Sequence, residues 1–479
     1  MSKLYYENYG LDYTLTLKSP LRKKSDSRAG EEELIPDLVL NLIVVEINMF
    51  EDMYGPFMRM EIVLNDSLGL MDKFPIIGDE ELEFRYRNPK GDEEFYQYFK
   101  VYSVTNRQVV KARAHGLVLH AISEPGHKNA LESVYKSFID KKCDDIVRET
   151  FDQYLASIGK MIQIPESCEN EYTKVANGQN PLKLINEVAA EAQSSSHEAS
   201  NYVFFESADD FWYAPISFFL TLKPVYEYFL SVPQEDPQYR SGDKNADQSI
   251  RSINFVNNFD NLDSVYRGGY MNEINFIDPI LKRFEMHPIK DKTKYQFEYI
   301  RDFDSLTHLP NSAKKMISAE GDVGKAEKPY AAHRRMFITQ HEKDGEDYPT
   351  IGYLDGKIQP GDVLNSPRQR QKYLNKSLHE KQNLSNHVLE ITVSGIPEVY
   401  VGQVIKIKLP QPTQMSKETT KFLFLYGQEA TFLVTAVRHI YKADVDAYYA
   451  VLSCSKESFG EEPRGRRFDN RPKASNNRL

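Results

Sequence analysis

The C-terminal third of the chain alternates apolar and polar residues with the period of a β-strand. The pattern recurs in residues 387–393, 401–410, 432–437 and 448–454. In the second of these segments, Ile405 and Ile407 fall on one face and Lys406 on the other, as in a half-exposed strand. Turn residues separate the segments, with Gly395 and Pro397 after the first. Short alternating strands between such breakers predict a small antiparallel barrel or sandwich.

The same pattern occurs once before, in the N-terminal quarter. Three segments correspond in order: 77–84 to 401–407, 99–104 to 432–437, and 116–122 to 448–454. The middle pair shares the pattern Phe-x-Val-x-x-Val, beginning at Phe99 and at Phe432. Chance accounts for one such match more readily than for three in one order. The sequence therefore predicts two copies of one β-domain.

Between the two β-regions the apolar spacing becomes helical. Residues 144–157 place apolar side chains at a period near 3.6, and a second helix begins at Pro181, a residue suited to a first turn. Apolar runs at 202–205, around Trp212 and at 216–222 then predict a small sheet. This part indicates an α+β module inserted between the barrels.

The predicted fold class is β-rich α+β, with two similar β-barrel domains, an inserted α+β module and a further insertion. The predicted segments are a first barrel over 1–125, the module over 126–249, a discontinuous second barrel over 250–290 and 366–457, a partly mobile insertion over 291–365, and a basic disordered tail over 458–479. A polar helix is predicted from Ser366 and Pro367 to about Leu384. Its low apolar content favours a docking surface or subunit contact over core.

Composition narrows the function classes. A chain of 479 residues predicts roughly three domains, and 41% hydrophobic residues suffice for packed cores. The formal net charge of −10 argues against nucleic-acid binding over the whole surface. An acidic lumen that lets DNA pass without holding it is compatible with that charge.

The cysteines and the hydropathy pattern indicate the cellular compartment in which the protein is made. Cys143, Cys168 and Cys454 have no CxxC or pairing pattern, which favours free buried thiols in a reducing compartment over a metal site. The sequence has neither a secretory signal at its start nor an apolar run of about 18 residues that could span a bilayer. We expect no membrane span and assembly in the cytoplasm of the producing cell.

Several motifs, taken together, resemble a known family. They are residues 395–410, the strand 432–439, and Tyr266-Arg267-Gly268-Gly269-Tyr270 followed by Phe276-Ile277-Asp278-Pro279. In this order they resemble the baseplate central hub protein of T-even-type contractile-tailed bacteriophages. That family is similar to the hub part of type VI secretion spike proteins.

The resemblance implies a structural virion protein in the tail baseplate, active in genome ejection. It implies a homotrimer with two tube-forming β-domains per subunit, giving six similar units around one axis. The trimer would join the sixfold tail tube to the threefold cell-puncturing spike and form part of the DNA passage. The implied partners are the central spike protein, the tail tube or tube-initiator protein, baseplate wedge proteins and, transiently, DNA. Because residues after Cys454 lack a β-helix repeat, we expect the spike to be a separate chain.

No residue pattern predicts catalytic, cofactor-binding or metal-binding residues. HExxH, GxSxG and clustered His/Cys motifs do not occur. His379-Glu380 is expected to be solvated surface on the polar helix, and His439 a strand-edge residue. Residues 321–326 resemble a phosphate-binding loop only faintly, since the hydroxyl residue after Lys325 is missing. Asp444 and Asp446 fit a hairpin turn, and Gly268-Gly269 a turn needing positive φ rather than a ligand loop.

Two other functions remain open at this point. One is a tail-associated cell-wall hydrolase in which the 126–249 module is catalytic, although no carboxylate pair among the 70 acidic residues stands out. The other is a receptor-binding tail protein, for which long β-repeats or a coiled-coil stalk would be expected. Neither feature is visible in the sequence.

Overall fold

The fold is taken from a computed structural model of the chain. It describes residues 10–20, 22–24, 32–34, 36–67, 69–70, 74, 76–89, 93–111, 114–196, 200–230, 248–257, 272–278, 283–287, 333–338, 384, 387–409 and 430–456.

The structure describes nine strands in the first 123 residues, and seven of them pair in the first barrel. They are β1 (Asp12–Lys18), β2 (Arg22–Lys24), β3 (Glu32–Leu34), β4 (Leu38–Val39), β5 (Val44–Asp52), β6 (Gly55–Asp66), β7 (Glu81–Arg87), β8 (Glu94–Lys111) and β9 (Ala114–Ser123). The hydrogen-bonded order is β5-β6-β9-β8-β7-β1-β4, antiparallel throughout, while β2 and β3 form a separate antiparallel pair among the described strands. Leu15 and Leu17 of β1 are fully buried, as their alternation predicts.

The inserted module is compact and mixed. Its helices are α1 (Glu124–Leu131), α2 (Cys143–Thr150) with a π-helical turn (Phe151–Leu155), α3 (Pro181–Glu191) and α4 (Ile216–Leu220). Its strands are β10 (Val134–Lys142), β11 (Ile162–Gln163), β12 (Glu171–Gln179), β13 (Tyr202–Glu206) and β14 (Phe211–Pro215). β10 and β12 form a ribbon, and β11, β14 and β13 a small sheet. Pro181 opens α3 as predicted, because its missing N–H costs nothing in a first turn.

The second barrel is built from strands that are far apart in sequence. These are β15 (Tyr226–Leu230), β16 (Ser249–Ile250), β17 (Ser252–Asn257), β21 (His387–Ser394), β22 (Val404–Lys408), β23 (Ala430–Lys442) and β24 (Ala447–Lys456). Between β17 and β21 in sequence lie β18 (Asn272–Asp278), β19 (Arg283–His287) and β20 (His333–Ile338), which form a separate three-stranded sheet. Pairing runs β17-β21-β24-β23-β22-β15-β16, and the adjacent β16 and β17 close a six-strand barrel.

The two barrels share one strand order, which confirms the predicted similarity of fold. Taking β17, β21, β24, β23 and β22 as equivalents of β5, β6, β9, β8 and β7, every neighbouring pair is antiparallel in both barrels. The register agrees as well, since Leu82 faces Phe99 in the first barrel and Ile405 faces Phe432 in the second. The copies differ at one edge, where β1 pairs antiparallel to β7 but β15 pairs parallel to β22.

Irregularities repeat at matching positions. The register of β8 against β9 shifts after Val101, and that of β23 against β24 shifts after Val434, the third residue of each Phe-x-Val-x-x-Val pattern. The turns before β7 and β22 each contain a glycine in the left-handed region, Gly78 at φ +96° and Gly402 at φ +89°. A bulge and a positive-φ glycine are specific backbone features, so their recurrence is strong evidence for duplication.

Three predicted assignments need correction. β15 and Ser249 of β16 are predicted in the module but lie in the second barrel, whereas β18 and β19, predicted in that barrel, pair with β20. Residues 216–220 form helix α4 rather than a strand. The strands in question pair with partners that are remote in sequence, and the apolar run at 216–220 is too short for its periodicity to distinguish helix from strand. Local periodicity therefore could not give the correct assignment in either case. The remaining domain boundaries stay predictions, and the polar helix from Ser366 and the basic tail lie outside the described residues.

Candidate assembly site at the junction of the two barrels

The barrels are joined by main-chain pairing. Residues 436–442 of β23 pair antiparallel with residues 46–52 of β5, in a register that sets Arg438 opposite Phe50 and Ile440 opposite Asn48. The first half of β23 pairs instead with β22 of its own barrel. One long strand therefore takes part in both barrels, and their strands form a single 14-stranded sheet.

A buried carboxylate lies at this junction. Glu51 of β5 is 1% exposed, and its Oε2 accepts the backbone N–H of Val401 at 3.2 Å. Its Oε1 lies 3.7 Å from Nε2 of His439, which is 4% exposed. Through these two contacts Glu51 links β5 to the loop before β22 and to β23.

His439 is held from its other side by Tyr448. The Tyr448 hydroxyl lies 2.8 Å from His439 Nδ1. Burial raises the pKa of Tyr448 well above its usual range, so this hydroxyl stays protonated beside the ring. Nε2 of the same ring faces Glu51. The prediction of a strand-edge residue is wrong, because pairing of β23 with β5 covers this histidine.

A second polar contact crosses the same pair of strands. Arg438 donates from Nε at 3.0 Å and from Nη2 at 2.8 Å to Oδ1 of Asn48, and its guanidinium lies over the Phe50 ring. Asn48 is buried, and its amide also donates to Glu46. Two donors on one acceptor fix the alignment of the barrels side by side.

The module is locked onto the first barrel by a buried ion pair. Lys160 Nζ lies 2.9 Å from Glu206 Oε1 and donates to the Ser207 carbonyl at 2.7 Å. Glu206 Oε2 accepts the N–H of Met58 in β6 at 2.9 Å. The Lys160 and Glu206 side chains are 8% and 2% exposed, so the pair replaces water with fixed partners.

The module also contacts the second barrel. Phe205 and Phe219 belong to the hydrophobic core of that barrel, and a Cβ at Gly402 would come within 3.2 Å of both rings. The duplicated glycine therefore has a packing role here as well as a conformational one. The module thus braces both barrels across their junction.

The structure describes some of the residues that the sequence singled out as candidates for chemistry. Among these residues no group of three or more His, Cys, Asp or Glu side chains is arranged to hold a metal ion, and the prediction of no metal site stays a prediction. Cys143, Cys168 and Cys454 are buried and free, as expected. Asp446 lies in the β23–β24 turn at φ +46°, where Asp is tolerated. His379, residues 321–326 and Tyr266–Tyr270 lie outside the described residues.

Sequence reasoning missed Glu51 and Lys160. Both lie in segments whose patterns look like ordinary strand or loop, and no spacing rule links Lys160 to Glu206 or Glu51 to His439. The described helices include none that is long and apolar enough to cross a membrane.

No protein-family model and no curated protein matches the chain. Among solved structures, it is similar to a tail protein of Neisseria meningitidis (TM-score 0.48, 11% identity, 94% of this chain and 97% of that one). It is also similar to the 43 kDa tail protein of prophage MuSo2 from Shewanella oneidensis (0.46, 8%, 94% and 99%). A third is an E. coli type VI secretion component described as similar to T4 tail proteins gp27 and gp5 (0.40, 8%, 88% and 76%). These neighbours are phage tail and type VI secretion proteins, the two classes that the sequence resemblance names.

Proposed function

We propose that this chain is the central hub subunit of a contractile-tail baseplate, assembling as a homotrimer between tail tube and spike. The observation that carries the proposal is the β23–β5 junction, which joins two barrels of equal strand order side by side. Three such chains around one axis would present six similar barrels and so fit a sixfold tube above and a threefold spike below. DNA would pass along the axis without specific binding, in keeping with the net charge of −10.

The mass of the purified protein in solution tests this proposal. A hub of this kind has three times the 55.4 kDa mass of the chain, measured by native mass spectrometry over a concentration series. Co-expression with a spike protein should then yield a complex with three hub chains. A particle that stays monomeric at every concentration contradicts the hub.

The proposal includes no enzymatic activity, and the state of the module's carboxylates supports this. Glycoside hydrolysis needs one carboxylic acid with a raised pKa facing a substrate cleft. The surface depression on α2, of about 400 Å³, is lined by Asp145, Arg148, Glu149, Asp152 and Gln153. There the hydrogen bonds from Lys136 and Lys141 lower the pKa of Glu149, the wrong direction for an acid.

Among the module's described carboxyls whose pKa is shifted, Asp209 is shifted in the direction that a general acid needs. Burial and the neighbouring Asp210 raise its pKa, although Asp210 is engaged by the Met161 N–H at 2.9 Å and the Gln163 amide at 2.8 Å. A peptidoglycan-release assay of the wild type and of Asp209→Asn separates the two functions. We expect no release from either; release that disappears in the variant would establish the hydrolase.

A further inference from the structure

The ribbon β10–β12 contains the only Asn-Gly pair of the sequence, Asn177-Gly178. In such a pair the backbone nitrogen of the glycine can attack the side-chain amide of the asparagine, because no side chain on the glycine obstructs the approach. A fold permits this reaction when solvent reaches the amide and when the backbone between the two residues is free to rotate. The ribbon meets both conditions.

Asn177 lies on the outward face of the ribbon. Its Cα partner across the ribbon is Tyr135, and the next pair on the same face is Ser137 with Val175. Tyr135 and Val175 are 73% and 66% exposed, and Asn177 is exposed with them. Solvent therefore reaches the amide group, and the ammonia that the reaction releases can leave.

The backbone next to Asn177 departs from the regular ladder. Gly178 has no Cα partner in the register, which steps from Tyr135 opposite Asn177 to Val134 opposite Gln179. Gly178 also lies in the left-handed region, at φ +73°. This is a β-bulge in a sheet of only two strands, the least stable kind of sheet. Local opening around this peptide bond therefore costs less than in the barrel strands.

We propose that Asn177 is a site of spontaneous covalent modification. The nitrogen of Gly178 forms a bond to Cγ of Asn177, the bond from Cγ to the amide nitrogen breaks, and the proton of the attacking nitrogen leaves with the ammonia. The product is a cyclic succinimide, which water opens at either carbonyl carbon. Opening at the former side-chain carbonyl gives aspartate, and opening at the backbone carbonyl gives isoaspartate. The reaction requires only the folded chain and water, so it does not depend on the proposed hub.

The modification changes the charge of the ribbon. The middle of the outward face consists of uncharged side chains, those of Tyr135, Ser137, Val175 and Asn177. Lys136, which lies between two of them along β10, is paired with Glu149 of α2 at 2.6 Å. Either product therefore places a carboxylate where the fresh chain has no charge, and isoaspartate also lengthens the backbone at the bulge. The ribbon would thus acquire a negative charge as the protein ages.

Mass spectrometry of the full chain tests the proposal. The purified protein is incubated at mildly alkaline pH, folded and in urea, and samples taken over time are digested with trypsin. Cleavage after Lys174 and after Lys183 releases residues 175–183, so Asn177 and Asn180 lie in one peptide. Fragment ions then assign any conversion to one of the two positions.

Asn180 is the internal control. It is followed by Pro181, whose nitrogen carries no hydrogen, so the same ring cannot form there. We expect aspartate and isoaspartate at position 177 in the folded chain, at a rate within about tenfold of that in urea, or about 1.4 kcal/mol in the barrier. Protection by the fold of more than this overturns the proposal, because the ribbon then holds the pair in an unreactive geometry. Equal conversion at positions 177 and 180 overturns it as well.

Asn177→Gln supplies the second arm. Its longer side chain disfavours ring closure, and the position is exposed, so the variant should fold normally and not be converted. Gly178→Ala is the poorer choice, since a Cβ there would come within 2.9 Å of the Tyr135 hydroxyl. On anion exchange, the aged wild type should shift to the elution position of fresh Asn177→Asp, whereas aged Asn177→Gln should not shift. An absent shift in the wild type, or an equal shift in Asn177→Gln, overturns the assignment to Asn177.

Discussion

At the scale of single residues, buried polar side chains hold the domains of this protein together. Lys160 and Glu206 connect the module to β6, while Glu51, His439 and Tyr448 connect β5 to β23 and β24. Apolar surface alone would allow these units to slide. Directional hydrogen bonds from buried polar groups favour one arrangement, at the cost of desolvating those groups.

Removing the cation of the module's ion pair tests this role. Lys160→Met leaves the Glu206 carboxylate buried without its charge partner, so we expect a loss of about 3–5 kcal/mol in the free energy of unfolding. Urea denaturation followed by fluorescence of Trp212, the only tryptophan, which lies in β14, measures it. Lys174→Met breaks a partly exposed pair with Glu187 and should cost at most about 1 kcal/mol. Equal losses in the two variants would contradict a special role for the buried pair.

The raised pKa of Asp209 predicts a pH dependence of stability whose sign is opposite to that of most carboxylates. Its raised pKa means that the folded state binds this proton more tightly, so its ionisation destabilises the fold as pH rises through that pKa. Asp209→Asn should therefore stabilise the protein at pH 7, by less than about 1 kcal/mol, with the gain vanishing as pH falls. Thermal unfolding from pH 4 to pH 7 measures this. Asp210→Asn is the neighbouring control and should destabilise, because Asp210 accepts two hydrogen bonds.

The pH dependence of stability expected for Glu149 has the sign that is usual for a carboxylate. Its pKa is lowered by hydrogen bonds from Lys136 and Lys141, so its contribution to stability is present above the unfolded value near 4.5 and is lost as pH falls through the lowered pKa. Lys136→Met with Lys141→Met should flatten the acid side of the stability curve of the module. An unchanged acid limb would show that these ion pairs contribute nothing measurable.

At the scale of elements, the ribbon β10–β12 presents two unlike faces. Phe138 is buried in the module core at 1% exposure, whereas the adjacent Ile139 points outward at 67%. Strand alternation alone produces this contrast. We expect Phe138→Ala to cost about 3–5 kcal/mol and Ile139→Ala at most about 0.5 kcal/mol, measured by denaturation. Similar costs would mean that the outer face is packed against something in the free protein.

The sequence predicted which segments form strands better than it predicted which strands pair with one another. The three matches between the barrels, including Phe99 with Phe432, correctly located equivalent strands because period-2 burial leaves a local signal. The prediction that β15 belongs to the module is wrong because its parallel partner β22 lies far away along the chain, and no local pattern encodes a parallel neighbour. The prediction that His439 lies at a strand edge is wrong for the same reason, since β5, the strand that buries it, comes from the other end of the sequence.

At the scale of the whole molecule, the basic segment 458–479 is expected to lie outside the assembly core. It has few apolar groups to bury and several arginines, so it could assist an acidic partner but not close a ring. Deleting it should leave the trimer mass unchanged in native mass spectrometry. Deleting from residue 447 onward also removes β24 and should abolish folding of the second barrel. Loss of the trimer in the shorter deletion would make the tail structural.

The sharing of β23 between the barrels has a mechanical consequence. β23 continues from its pairing with β22 into its pairing with β5, with only the bulge after Val434 between the two parts, so no loop of β23 separates the barrels at this junction. Force applied across the pair along the strand direction would load the seven rungs between β23 and β5 together, in shear rather than one after another. A ring built of such barrel pairs would resist twisting, and a pair would separate only when the whole row of hydrogen bonds breaks at once.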